Sequence, residues 1–320
     1  MRPNASMMSR HCAGFTLVEA IIVIVITGIL AGTVAVFIKG AVDAYIDSAR
    51  RAELTDVADT AVRRIARDIH LALPNSVRNP GDGSDQCVEF MPTKIGARYR
   101  MAKDSSGNGD DLDFSVEDGT FEMLWLNSAL PPAMRVEAGD VVIIYNDGSG
   151  NSNCFGSVGN GTAGGNAYCG YNAIQVASLG TEAAGVTPIN LVDAVTAAPF
   201  NRRQLPGESP YYRFQVIPKD EHVVAYACSE GTPKTLYRYS RKLSVPWSAP
   251  WPVPASCAAM VSGATAAILA ENVSSCSLKY EPPGSSTGFS MNGILQISLT
   301  VTQSDESARL YHQVHVDNTP

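Results

Sequence analysis

Glu19 has the most unusual setting of any ionisable residue in this sequence, because it lies inside an otherwise uncharged, mostly apolar run over residues 15–38. An acidic side chain inside a membrane-spanning helix costs roughly 2.5–3.5 kcal/mol on insertion scales. A residue this unfavourable indicates a function, and its natural partner is a positive charge. The nearest candidate is the free amine that cleavage between Gly14 and Phe15 would create. The charge imbalance therefore favours a cut just before Phe15, because the new amine would supply a positive partner for Glu19.

A second group of residues has the spacing of a cation site. Asp104, Ser106, Asn108 and Asp110 place oxygen donors at alternate positions beside glycines, as calcium-binding loops do. The acidic residue that closes an EF-hand loop is missing, because Ser115 stands in its place. A plain Asp/Gly turn is therefore the favoured interpretation. Calcium is the one cofactor that the sequence suggests, and otherwise no cofactor is expected.

Seven cysteines form the third group, and one of them, Cys12, precedes the predicted cut. The remaining six contain no CxxC pair, which gives little support to a metal or thioredoxin-like site. An even number favours disulfides in an oxidising compartment, which in a bacterium is the periplasm. The candidates are Cys87, Cys154, Cys169, Cys228, Cys257 and Cys276. Connectivity does not follow from sequence, and pairing of neighbours gives Cys154–Cys169, Cys257–Cys276 and, by default, Cys87–Cys228.

The charge and the motifs argue against two broad classes of function. The formal net charge is −7 and the sequence pI is about 5.3, whereas nucleic-acid binders usually have a basic excess. Basic residues between positions 50 and 67 alternate with acidic ones, which is typical of a solvated helix face. The sequence has no Gly-x-Ser-x-Gly elbow and no His-Glu-x-x-His zinc motif. We therefore expect neither a nucleic-acid partner nor an enzyme.

The element that carries Glu19 is long enough to span a bilayer, for which about 20 apolar residues suffice. Basic residues precede the run and few follow it, which predicts a cytoplasmic N-terminus. This divides the chain into a leader (1–14), a transmembrane half-helix (15–38), an amphipathic half-helix (39–73) and a head (75–320). Two alternatives remain. An ordinary secretory signal would be cut near residues 31–33 and has no need of Glu19, and a signal anchor would not be cut.

The helical pattern continues beyond the apolar run. Apolar residues recur every three or four positions from Val42 to Ile69, and Pro74 ends the pattern. One helix over residues 15–73 would be nearly 90 Å long at ~1.5 Å per residue. The first half of this helix is apolar on all sides, and the second half is apolar on one side only.

From residue 75 onward, short β-like runs alternate with turn residues. The clearest runs are 88–91, 121–126, 141–145, 213–217, 223–226, 236–240, 294–302 and 310–316. Several alternate apolar and polar residues, which predicts an antiparallel sheet with one buried face. We therefore expect an α+β fold in which the amphipathic half-helix lies across the sheet. A Gly-rich loop over 147–170 and a Pro-rich segment over 246–254, with Trp247 and Trp251, are expected at the surface.

The segment Gly14-Phe15-Thr16-Leu17-Val18-Glu19, followed by an apolar helix, resembles the signal of type IV prepilins and pseudopilins. The resemblance implies a pilin-like fold, cleavage after Gly14 by a prepilin peptidase and methylation of Phe15. It also implies that Glu19 is the assembly carboxylate, which pairs with the terminal amine of a neighbouring subunit. Many major pilins have a proline late in the membrane segment. This sequence has none, which favours a minor subunit.

Six further segments resemble the MshO family of MSHA pilus biogenesis proteins: 52–61, 63–69, 73–78, 90–94, 235–239 and 313–320. This resemblance implies a minor pilin acting in assembly, by initiation or capping, of an adhesive type IV pilus. The implied partners are the prepilin peptidase, other major and minor pilins, and the inner-membrane assembly platform. The implied location is the inner membrane, with a single span and a periplasmic head, and incorporation into the pilus is left open. The alternatives are a minor pseudopilin of a type II secretion system and a ligand-binding module at the filament tip.

Overall fold

The computed structural model describes residues 14–116, 118–148, 165–170, 172–192, 205, 207–243, 251–284 and 292–320. The chain divides into two compact units, Met1–Glu53 and Leu54–Pro320. The second unit contains all the strands of the described residues and is called the head unit below.

A single long helix, α1 (Leu17–His70), contributes to both units. No described residue before Leu54 is buried. Within the head unit, α1 buries a stripe of residues at three- and four-residue steps: Leu54, Ala58, Ala61, Val62, Ile65 and Ile69. This spacing places them on one face of the helix. The predicted amphipathic pattern is therefore confirmed from Leu54 to Ile69, whereas Val42 and Ile46 are exposed.

The end of α1 has a local cause. The N–H groups of Leu71 and Ala72 donate to carbonyls three residues earlier, which tightens the last turn. The N–H of Leu73 instead donates to the carbonyl of Met91, so the backbone leaves the helix before Pro74. The predicted helix, 15–73, is thus two residues too long at its start and three at its end.

The described residues of the head unit contain twelve strands and one short second helix. In chain order these are β1 (Cys87–Phe90), β2 (Ile95–Arg98), β3 (Thr120–Met123), β4 (Val141–Ile144), β5 (Ala173–Leu179), β6 (Thr187–Leu191), β7 (Arg213–Ile217), β8 (Val223–Cys228), β9 (Lys234–Arg241), α2 (Cys257–Val261), β10 (Thr265–Glu281), β11 (Gly293–Gln303) and β12 (Glu306–Val316). Short 3-10 helices lie at Asn127–Ala129, Pro132–Met134, Ala167–Cys169 and Pro210–Tyr212.

Six strands form the first sheet, in the order β1-β8-β9-β10-β11-β12, with every neighbouring pair antiparallel. Along β11, Leu295, Ile297, Leu299 and Val301 are buried and their neighbours are not, as the alternation predicted. These residues share one core with the buried stripe of α1. The expected α+β, pilin-like architecture, a long helix on an antiparallel sheet, is confirmed.

The other six strands form a second antiparallel sheet, in the order β2-β7-β4-β5-β6-β3, and this second sheet was not predicted. Its two end strands are joined by a bridge between Tyr99 and Met123. On either side of that bridge, Arg100 N–H donates to Glu122 O and Leu124 N–H donates to Arg98 O. The sheet therefore closes into a small barrel. Large side chains, including those of Tyr99 and Met123, fill its core.

The disulfides correct two predicted pairings. Cys87 is bonded to Cys257, and Cys228 is bonded to Cys276, so the pairs Cys87–Cys228 and Cys257–Cys276 are wrong. Cys87 lies opposite Ala227 in the β1–β8 ladder. Because successive side chains of a strand point to opposite faces, Cys228 lies on the other face from Cys87. Cys87 and Cys228 are thus close in the ladder and still unable to bond.

Strand order explains how the remaining half-cystines meet. The β9–β10 ladder ends where Val273 lies opposite Lys234, the first residue of β9. Cys276 lies three residues further along β10 and can therefore reach the end of β8. Cys169 is also disulfide-bonded. Its predicted partner, Cys154, lies outside the described residues, so that pairing stays a prediction.

Candidate functional site

The predicted cleavage site lies just before α1. Residues 14–16 are not helical, and Gly14 and Phe15 are exposed, Phe15 with 76% of its surface accessible. A Cβ atom added at Gly14 would meet nothing within 4 Å. The fold of the described chain therefore makes no demand for glycine at this position. A requirement for glycine would have to come from a protein that binds this segment.

Thr16 caps the N-terminus of α1. Its Oγ1 accepts a hydrogen bond from the N–H of Glu19 at 3.2 Å, and its carbonyl accepts the first helical hydrogen bond, from Ala20, at 3.1 Å. Thr and Glu three residues apart at a helix start form the sequence pattern of a capping box. This role of Thr16 was not predicted, although the Thr-x-x-Glu spacing was a sufficient signal. The helix start is thus fixed by the residues that follow the predicted cut.

Glu19 is exposed in the first turn of α1. A negative charge there interacts favourably with the positive end of the helix dipole, by about 0.3–1 kcal/mol. Glu19 forms no ion pair with any side chain of the described residues. Gly14, Phe15 and Glu19 thus lie within six consecutive residues at the start of α1, and the carboxylate is accessible to a partner.

The helix behind this segment has the properties of a membrane span. Among the described residues, α1 is the helix that is long and apolar enough to cross a bilayer, with a mean hydropathy of 2.9 over its best window. Hydroxyl groups within the run are satisfied internally: Thr27 Oγ1 donates to Val23 O at 2.6 Å, and Thr33 Oγ1 donates to Leu30 O at 2.9 Å. Such bonds reduce the penalty for placing hydroxyls in lipid. The apolar core of a secretory signal near the N-terminus would meet the same length and hydropathy criteria. The residues that precede the apolar run must therefore distinguish a secretory signal from a retained membrane span.

Residues 9–35 match the family model described as the prokaryotic N-terminal methylation motif. The N-terminus is type IV prepilin-like. No curated protein and no solved structure matches the chain. The motif supports a type IV pilin-like or pseudopilin subunit, and none of these comparisons supports MshO specifically.

The motif has consequences for processing and location. It implies cleavage by a prepilin peptidase and assembly with other pilins. Proteins of this kind are structural subunits rather than enzymes. Together with the apolar helix, the motif is consistent with a membrane-anchored, single-pass protein. The cut at Gly14–Phe15, methylation of Phe15 and the role of Glu19 stay predictions.

The predicted calcium loop is a self-contained turn. One oxygen of Asp104, Oδ1, accepts the N–H groups of Ser106 and Asn108, both at 2.8 Å. The N–H of Asn108, followed by that of Ser106, holds the pKa of the Asp104 carboxyl below its ordinary value. No cluster of three His, Cys, Asp or Glu side chains suited to a metal occurs among the described residues. Calcium binding by this loop and Asp110 stays a prediction, which titration calorimetry would test.

Trp251, one of the two tryptophans expected at the surface, packs onto the head. The N–H of Trp251 donates to Tyr168 O at 2.8 Å, and the guanidinium of Arg241 lies 4.2 Å from the centre of the Trp251 ring. Trp247 and most of the Gly-rich loop lie outside the described residues. Trp251 is therefore part of the packing of the head rather than an open contact site.

A cleft of about 390 Å³ lies beside the last turns of α1. Its charged lining is already paired. Arg238 Nε contacts Asp68 at 2.8 Å, Arg238 Nη1 contacts Glu221 at 2.6 Å, and Arg64 contacts Asp68 at 3.1 Å. The hydroxyl of Tyr226 also donates to Asp68, at 2.7 Å. These bonds attach α1 to β8 and β9. Because Arg64, Asp68, Glu221 and Arg238 are already paired with one another, they are not free to bind a charged ligand in the cleft.

Proposed function

We propose that this protein is a minor pilin-like subunit that acts in the assembly of a type IV pilus. The observation that carries the proposal is the exposed carboxylate of Glu19, which has no ion-pair partner among the described residues. It lies in the first turn of a long apolar helix, four residues after Phe15 of an exposed Gly–Phe junction. An unpaired acid in an apolar helix is unfavourable in a membrane, so a partner that supplies positive charge would be strongly favoured.

In the proposed mechanism, prepilin peptidase cuts the Gly14–Phe15 bond on the cytoplasmic side, and the new terminal amine of Phe15 is methylated. The apolar half of α1 holds the subunit in the inner membrane, and the head lies in the periplasm. During assembly, Glu19 pairs with the terminal amine of a neighbouring subunit. Two opposite charges at ion-pair distance in an apolar medium interact far more strongly than in water, so this pair sets the register between the helices.

A minor rather than a major subunit is favoured by the apolar half of α1. It contains no proline, and the helix is continuous through it. A role in initiation or capping is compatible with a head that has two sheets. The MSHA type of pilus rests on the resemblance of scattered segments. A minor pseudopilin of a type II secretion system would share every N-terminal feature, and the genes beside this one distinguish the two systems.

The test is mass analysis of the N-terminal peptide of the protein isolated from its native membranes, for three forms of the chain. The unaltered chain and Glu19→Ala should both begin at methylated Phe15, because the cut precedes the altered residue. Glu19→Ala should be depleted in filament fractions. Asp43→Ala is the matched control, since it removes an exposed acid from the same helix. Normal incorporation of Glu19→Ala would refute the assigned role, and a chain that keeps Met1 would refute the prepilin class.

A further inference from the structure

Two arginines face each other on the outside of the barrel. Arg98, the last residue of β2, lies opposite Arg213, the first residue of β7. Their sequence neighbours Tyr99 and Phe214 are buried in the barrel core, so both arginines point outward. Like charges directly opposite each other on paired strands are destabilising. A fold that keeps such a pair at its surface favours an outside ligand that supplies negative charge.

Neither arginine is neutralised by a side chain of the described residues. Arg98 is exposed and has no ion pair there. Arg213 Nε donates to the carbonyl of Pro210 at 3.4 Å, and Arg213 Nη2 donates to an oxygen of Pro320, the last residue of the sequence, at 3.2 Å. The nearby acid on β3, Glu122, is already paired with Arg100, at 2.5 Å. Both guanidinium groups therefore keep donors available for a carboxylate.

Tyr211 is held beside this pair by a strained, well-anchored loop. Tyr211 and Tyr212 have φ angles of 60° and 56°, in the left-handed region that non-glycine residues seldom adopt. Tyr212 packs edge-on against Tyr99, and the N–H of Ser209 donates to Tyr99 Oη at 3.1 Å. The ring of Tyr211 is left 72% exposed, with the Arg213 guanidinium 5.6 Å from its centre. Strain of this kind concentrates at functional sites.

An apolar surface lies on the other side of Arg98. The N–H of Leu124 donates to Arg98 O at 2.9 Å, which places Leu124 next to Arg98 on the outer face. Leu124 is 41% exposed and Trp125 is 58% exposed. We call Arg98, Arg213, Tyr211, Leu124 and Trp125 together the arginine–aromatic face.

We propose that the arginine–aromatic face binds an acidic segment of a neighbouring filament subunit. Arginine forks match carboxylates in two-point contacts, and Arg, Tyr and Trp are the residue types that dominate binding energy at protein interfaces. The face lies on the outside of paired strands rather than in a cavity, which suits a protein surface. Because the loop of Tyr211 is already anchored, little ordering is required on binding. This inference rests on the proposed function, which supplies the neighbour.

The test is photo-crosslinking of the full chain in its native membranes. A benzophenone side chain replaces Tyr211 in one form and Tyr311 in the other. Tyr311 is a matched control, because it is an exposed tyrosine (58%) on β12 of the other sheet. We expect position 211, and not 311, to capture a prepilin-like subunit through a peptide that contains Asp or Glu. Arg98→Glu with Arg213→Glu should lower the yield about tenfold or more. Reversing the captured acids to lysine should restore it.

Several results would overturn the proposal: equal capture at both positions, capture of a polysaccharide, or an unchanged yield in the arginine variant. If the charge-reversed chain does not accumulate, Arg98→Gln with Arg213→Gln replaces it. The N-terminal peptide is measured in the same samples. A processed chain without specific capture overturns this inference alone, whereas an unprocessed chain overturns the proposed function and this inference with it.

Discussion

The ion pair between Arg78 and Glu89 makes a strong prediction about stability. Glu89 lies in β1 with none of its surface exposed, and Arg78 is half-buried at its side. Arg78 Nε donates to Glu89 Oε1 at 2.7 Å. Burial raises the pKa of Glu89, and the nearby Arg78 opposes that rise. Removing Arg78 would leave this buried carboxylate without its ion-pair partner, and the weaker influence of Arg241 would be the opposite charge that remains.

We expect Arg78→Met to destabilise the head by about 3–5 kcal/mol, the usual penalty for orphaning one member of a buried pair. For a unit of this size, each kcal/mol lowers Tm by roughly 2–4 °C, so Tm should fall by roughly 6–20 °C. Arg78 also donates to the carbonyls of Trp251 and Pro252, and it lies over the ring of Tyr168. The contribution of the orphaned charge must therefore be separated from the loss of these contacts.

Arg78→Met combined with Glu89→Gln makes that separation, because the amide has the shape of the carboxylate without its charge. We expect thermal unfolding of the full chain in detergent, followed by circular dichroism, to show recovery of a large part of the loss in the double variant. Equal destabilisation of the single and double variants would refute the reasoning and assign the effect to the other contacts of Arg78.

The pH dependence supplies a second reading of the same variant. A folded-state pKa raised above the unfolded value means that the folded state binds the proton more tightly. The stability from this group is therefore present below the unfolded pKa and is lost as pH rises through the folded pKa. Arg78→Met removes a group that lowers the pKa of Glu89, so the pH range in which protonated Glu89 stabilises the fold should extend to higher pH. Lowering the pH from 7 toward 5 should therefore reduce the difference in unfolding free energy between Arg78→Met and the unaltered chain. When Glu89→Gln is also present, this difference should no longer depend on pH in that range.

Three further predictions concern other parts of the fold. Cys228→Ser opens a disulfide that spans 48 residues, and loop entropy predicts that the free energy of unfolding falls by about 4 kcal/mol. Peptide mapping of the unaltered chain under non-reducing conditions should recover the Cys228–Cys276 pair. Ile65→Ala, at a fully buried position of α1, should cost about 2–5 kcal/mol in denaturant unfolding, whereas Arg67→Ala at an exposed position should change stability by less than about 0.5 kcal/mol. Thr16→Ala should weaken the cap by about 0.5–2 kcal/mol and should increase amide exchange in the first turn of α1, and unchanged exchange there would contradict the capping role.

The parts of the fold that local periodicity determines were predictable. The stripe of α1 and the alternation along β11 follow from the spacing of apolar residues. By contrast, β10 was missed because it begins with Thr265-Ala-Ala-Ile-Leu-Ala, a composition that favours helix. Pairing with β9 and β11 on both sides overrides that preference.

The register between paired strands could not be predicted from the sequence. Two features depend on which residues lie across from each other in a ladder: the exclusion of Cys228 as a partner of Cys87, and the opposition of Arg98 and Arg213. A shift of one residue would reverse the face of every side chain in a strand. The candidate cleavage site was found because its residues are contiguous in sequence. The arginine–aromatic face was not, because it combines residues from β2, β7 and the segments that follow β3 and precede β7.

The end of α1 is attached to both sheets of the head, which bears on how a subunit would respond to force. Asn75 has a φ of 60°, a conformation that asparagine tolerates better than most residues. Its side-chain amide donates to the carbonyl of Asn146, which follows β4 of the barrel, at 2.8 Å, and to that of Asn318, which follows β12, at 3.1 Å. Seven residues earlier in the chain, Asp68 binds Arg238 of β9. A pull on the last turns of α1 is therefore shared between the first sheet and the barrel. Replacing Asn75 with Ala should remove these bonds and allow the two sheets to unfold separately. Hydrogen exchange should then give different opening free energies for the amides of β4 and β12, where the unaltered chain gives one shared value.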